Sequence, residues 1–207
     1  MYLFAFAAAG VIGVLVAIIV VFAAGGSSSG EPGKVGVAVP NLAKLPGAQT
    51  GKPPWQAEEG ELKVRSAILG IPLLTREALQ VHYHAHLDIY DNGQQIPVPA
   101  GIGISQKQGV ISVLHTHDTE GFIHVEAPQA YDYTLGQFFG VWGLRLSKTC
   151  IGGLCATSGK PLRVWVNGHL FKGDPTRLVL DDHQEIAIVY GAPPEKIPKS
   201  HDFTPVG

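Results

Sequence analysis

Nine histidines occur in the 207-residue chain, and six of them lie between positions 82 and 124 in the runs HYHAH, HTH and HVE. Alternate residues of a strand point to the same side, so an HxH triplet aims two imidazoles at one place. The spacing therefore suits His115 and His117 on one strand and His124 and Glu126 on its return partner, giving three nitrogens and one carboxylate from a single hairpin. That donor set is what a borderline divalent ion takes, at ligand distances of about 2.0–2.2 Å. His84 and His86 stand as fourth and fifth candidate ligands, and His82 ranks below them. Asp118 and Glu120 are placed to accept ring N–H groups, while His169, His183 and His201 fall in turns or the tail and read as surface histidines.

The chemistry narrows by what is missing. Met1 is the sole methionine, which removes the thioether ligand of Cu(I) carriers and of many blue-copper sites. One copper or zinc ion on imidazoles fits best; iron fits less well and requires a site of two histidines and Glu126 with open positions. Enzymatic patterns come close without matching. A metallo-β-lactamase-like HxHxD motif fails because Asp118 follows His117 directly, and Glu120 is misplaced for a cupin. No catalytic residues are assigned, and binding is favoured over catalysis. Cys150 and Cys155 enclose IGGL, a spacing that suits a small disulfide loop; neither a CxxC pair nor a second pair for a zinc ribbon is present.

Strands must position these residues. VHYHAHLDIY, from Val81 to Tyr90, alternates strictly and reads as a half-buried strand. Asn92–Gly93 then predicts a two-residue hairpin returning through QQIPV. A second hairpin follows, Val110 to His117 and Phe122 to Ala127 about a DTEG turn, which pairs His117 with Phe122 and sets His115 opposite His124. Thr134 and Gln137 form a capping box before LGQFFGVWG, one short amphipathic helix. LRVWV, an Asn167–Gly168 turn, HLFKG and EIAIVYG return to strands. This order predicts an α+β domain with a mainly antiparallel sheet and one short helix, β-grasp-like in element order; a cupin-like or sandwich β-barrel is the alternative.

Fifteen basic against seventeen acidic residues leave a formal charge of −2, with no cationic field for nucleic acid. Charged residues make up only 15 %, against about 25 % in an average soluble domain. The reason lies at the amino terminus, where residues 2–24 carry no charge and are long enough for a transmembrane anchor, longer than a cleavable signal core. Residues 25–59 are rich in Gly, Ser and Pro and read as a linker, or as a strap along another protein, and residues 60–207 as the working domain. Lys34, Lys44 and Lys52 after the anchor would place the bulk of the chain inside the cell; the long linker weakens that rule, and the cysteine pair favours a single-pass protein of the cell membrane with its bulk extracytoplasmic.

HYHAHLDIYDNGQQIPVPAGIGI, LHTHDTEGFIHVEAP, TLGQFFGVWG and the VNG hairpin together resemble a group of amino-terminally anchored extracytoplasmic proteins of bacteria and archaea that has no assigned activity. The similarity covers roughly residues 80–191 and implies an exported domain with a shared His-rich site. The leading expectation is a membrane-anchored, extracytoplasmic metal-binding protein that handles or senses copper or zinc. An accessory subunit of a membrane complex with structural histidines is the second, and a metal-dependent oxygenase or hydrolase the third.

Overall fold

The computed structural model describes residues 33–78 and 80–206. In chain order these form α1 (Leu62–Leu69), β1 (Leu73–Leu74), β2 (Val81–Asp91), β3 (Gln94–Ile96), β4 (Ile104–Ser105), β5 (Val110–Ser112), β6 (Leu114–His115), β7 (Phe122–Ala127), α2 (Leu135–Trp142), β8 (Cys150–Ile151), β9 (Leu154–Cys155), β10 (Leu162–Val166), β11 (His169–Phe171) and β12 (Gln184–Tyr190). The main sheet has the order β11-β10-β12-β2-β7-β6, with β3 also pairing β2. Every pair in it is antiparallel except β12–β2. The fold is thus α+β with a mostly antiparallel sheet, and the order runs open from β11 to β6 rather than closing into the alternative barrel.

Turn chemistry sets the registers. Asn92 and Gly93 have φ of 48° and 81°, and Asn167 and Gly168 have 50° and 77°, the positive values that a tight hairpin turn requires at both positions. In-register apolar residues line one face of the sheet: Leu114, Val125, Ala85, Leu87, Ile186, Ile188, Val164 and Phe171 are all buried on it. The helices and their loops belong to the same hydrophobic core, with α2 packed against α1, β6 and the turn at 175–177. Thr134 and Gln137 make the reciprocal capping box that starts α2, and Gly143 ends it in the left-handed conformation. A side chain at Gly136 would run into the backbone of Thr176, so glycine is what lets the helix lie this close.

Three expectations are corrected. The described residues hold two α-helices where one short helix was expected. In α1 the buried positions are Leu62, Arg65, Ser66 and Leu69, while Val64 and Ile68 are 46 % and 49 % exposed, so hydrophobicity runs out of phase with burial and hides the helix from periodicity. Strand β2 is not half-buried, because His84, Ala85, His86, Leu87, Asp88 and Ile89 are all buried and both faces are covered at its centre. The Gly/Pro-rich segment is not wholly a linker either.

From residue 33 that segment runs along its own domain, so the folded unit begins well before residue 60. Leu42, Leu45 and Trp55 enter the core, and Trp55 meets Trp142 edge to face at 6.3 Å. Gln49 N donates to Gly143 O at 2.7 Å and Trp142 Nε1 to Gln56 O at 2.9 Å. Buried Arg65 locks the arrangement: it pairs with Glu58 and donates to the carbonyls of Pro46, Gly140 and Val141, meeting the negative end of α2. An extended strap with a few isolated anchors has no period to detect. The disulfide Cys150–Cys155 closes the β8–β9 hairpin. Among the described residues no helix is long and apolar enough to cross a membrane, and the expected anchor at 2–24 lies outside them.

Candidate metal centre

The face of the sheet opposite the helices carries the histidines in two rows. Register sets His115 of β6 beside His124 of β7, and His124 beside His84 of β2; in the next row Glu126 sits beside His82. Three neighbouring strands, about 4.8 Å apart, thus present a continuous field of imidazole and carboxylate. β6 ends at His115, so His117 comes from the connection that follows and does not pair with Phe122; that partner belongs to His86.

The donor atoms converge. His84 Nε2 lies 3.1 Å from His82 Nε2 and 3.0 Å from His124 Nδ1. Glu126 Oε1 lies 3.4 Å from His124 Nδ1, 3.5 Å from His82 Nε2 and 3.7 Å from His115 Nε2. His115 and His117 bring their Nε2 atoms to 3.2 Å. A tetrahedral shell with bonds of about 2.0–2.1 Å has ligand–ligand edges of about 3.3–3.4 Å, close to these separations, so the groups could hold a metal ion. Two four-residue groups result, His82/His84/His124/Glu126 and His115/His117/His124/Glu126, each with donor atoms within 4.8 Å of one another.

Proton placement favours a cation. His115 Nδ1 sits 2.9 Å from Ser112 O; a carbonyl only accepts, so Nδ1 carries the hydrogen and Nε2 points its lone pair at His117 and Glu126. Burial, then the nearby His117 and His124, pushes the pKa of His115 down to about 3. Burial, then His84 and His117, takes His124 down to about 4, and burial followed by His82 lowers His84. The buried imidazoles are neutral at pH 7, the state a metal requires. Burial, with Glu77 adding to it, raises Glu126. His124 Nε2 and Glu126 Oε2 are buried with no hydrogen-bond partner among the described residues, a cost of about 1–3 kcal/mol each. His82 and His117 keep side chains 39 % and 40 % exposed, which gives the buried donors a route to solvent on either side.

His86 is sent elsewhere. Two residues along β2, it pairs in register with Glu185 of β12 rather than with another imidazole. Its Nε2 donates to Glu120 O at 2.7 Å and its Nδ1 lies 2.9 Å from Glu185 Oε2. Burial alone would lower its pKa, but the hydrogen bond and charge of Glu185 outweigh burial and hold His86 above its ordinary value. Both nitrogens are engaged, so His86 offers no lone pair to the six-residue cluster. His201 from the carboxy-terminal tail stacks on it at 3.5 Å between centroids, with Phe122 and Phe203 edge-on around His201. His201, expected to be an isolated surface residue, therefore has a definite seat.

The structure brings together His115, His117, His124, Glu126 and His84 from the expected ligands and adds His82, while His86 stands apart in a separate group with Glu185 and His201 whose donor atoms also lie within 4.8 Å of one another. Asp118 and Glu120 do not use their carboxylates on ring nitrogens: Asp118 accepts from Glu120 N at 2.8 Å, and Glu120 offers only its carbonyl. Two acidic residues escaped the sequence reading. Glu185, fully buried, was marked only by being a charge in an otherwise apolar strand; Glu77, 3.4 Å from His117, sits in a loop and gave no signal. Comparisons with protein families, with curated proteins and with solved structures find no match to this chain.

Proposed function

We propose that the protein is a membrane-anchored, extracytoplasmic metal-binding protein that handles or senses copper or zinc. One observation carries the reading: buried imidazoles from three adjacent strands gather their ring nitrogens around one carboxylate, His124 Nδ1 lying 3.0 Å from His84 Nε2 and 3.4 Å from Glu126 Oε1, and His115 Nε2 lying 3.7 Å from that same oxygen. Water-filled or purely hydrogen-bonded packing would not favour so many acceptors facing one another, whereas a divalent cation satisfies them all. The nitrogen-rich, sulfur-free set suits Zn²⁺ and Cu²⁺, with Cu²⁺ the tighter in the general order of affinities. The apolar segment at 2–24 supports the anchor, and the Cys150–Cys155 disulfide supports an oxidising compartment.

The test is elemental analysis of the full chain, purified without a histidine tag and loaded with zinc or copper(II), beside a His115→Ala, His124→Ala double variant. The expected result is stoichiometric metal in the parent and its loss in the variant. No metal in the loaded parent would overturn the reading.

A further inference from the structure

The donor set is larger than one ion uses. A four-coordinate zinc or copper(II) ion needs four ligands, yet His82, His84, His115, His117, His124 and Glu126 all converge, in two groups that share only His124 and Glu126. Each group has its own pair of imidazoles from its own stretch of chain, His82 and His84 from β2, His115 and His117 from the end of β6. Each pair has one buried and one part-exposed member, so each group has its own opening to solvent. The two shared residues also carry the spare donors: His124 Nε2 and Glu126 Oε2 are the atoms left buried and unpartnered.

We propose that the centre holds two divalent ions side by side, one bound by His82 and His84 and the other by His115 and His117, with Glu126 shared between them and His124 shared as an imidazolate, its remaining ring N–H proton passing to solvent as the second ion binds. The inference rests on the metal-binding reading above and goes beyond it in stoichiometry and in the role of the shared pair. A carboxylate between two cations is a common bridge, because two lone-pair oxygens can each serve one ion while one negative charge offsets the repulsion between them. It also gives Glu126 a reason to be buried among imidazoles rather than beside a lysine or arginine. Glu77, 3.4 Å from His117, adds a carboxylate at the outer side of the second position.

The experiment is metal stoichiometry of the full chain loaded with zinc alone and, separately, with copper(II) alone. Two equivalents per chain are expected, with copper(II) giving less paramagnetic resonance intensity than two isolated ions because the pair couples. His82→Ala, His84→Ala and His117→Ala, His115→Ala double variants should each retain one equivalent, with the copper signal at the full intensity of one isolated ion. Circular dichroism checks that both fold, and the parent stoichiometry stands without them. One equivalent in the parent, uncoupled, overturns the second ion while leaving metal binding intact. No equivalents at all overturns the metal reading itself.

Discussion

His84 and His86 are two residues apart on one strand and point to the same face, yet they live in opposite electrostatic worlds. His84 meets His82 and His124 and is driven toward neutrality by burial and like neighbours. His86 meets Glu185 across the parallel β12 strand and is held above its ordinary value against the same burial. An imidazole surrounded by imidazoles is pushed toward its neutral form; an imidazole beside a buried carboxylate is held above its ordinary value with both ring nitrogens engaged. What differs is the strand alongside, β7 with His124 in one case and β12 with Glu185 in the other.

The largest expected break between the two regions is in metal affinity. Replacing a supporting residue of a metal site already costs about 10–100-fold, so His124→Ala should weaken zinc binding by at least about 100-fold, whereas His86→Ala should change it only a few-fold, as read by chelator competition. Stability reverses the ranking. His86→Ala leaves Glu185 buried without its partner and should cost about 3–5 kcal/mol in urea unfolding, with Glu185→Gln milder because it removes the charge as well.

The pH dependence of the metal-free protein sharpens the contrast. His115 and His124 have folded values of about 3 and about 4 against an ordinary 6.5, so below 6.5 the unfolded chain binds the extra protons. Their contribution is complete above pH 6.5 and is lost as pH falls toward 4 and then 3. His86, raised, acts in the other sense: its contribution is present below 6.5 and fades as pH rises through its folded value. Urea midpoints measured across pH 4–8 should therefore fall on the acid side, and His115→Ala should flatten that fall. The smallest effect belongs to His201→Ala. Losing one stacked ring should cost less than about 1 kcal/mol and leave metal content unchanged.

Much of the donor set was legible from local pattern, because HxH and HxE on strands repeat every second residue and the DTEG turn brings one strand back on the other. That was enough to set His115 opposite His124. It was not enough for His82, whose place depends on β2 lying against the far side of β7, nor for His86, whose partner arrives from about a hundred residues later in the chain. The strap from residue 33 was obscured by composition, since glycine and proline mark an extended chain whether it lies on a protein surface or in solvent. Helix α1 was obscured by its buried arginine.

By itself the sequence determined the period-two runs, the Asn–Gly turns, the capping box of α2 and the donor types, all of which act over a few neighbouring residues. Only the tertiary structure decided which imidazoles are pushed below their ordinary pKa and which is held above it. That depends on strand order and on what burial places across a 3 Å gap, and a carboxylate or a second imidazole there reverses the sign of the interaction.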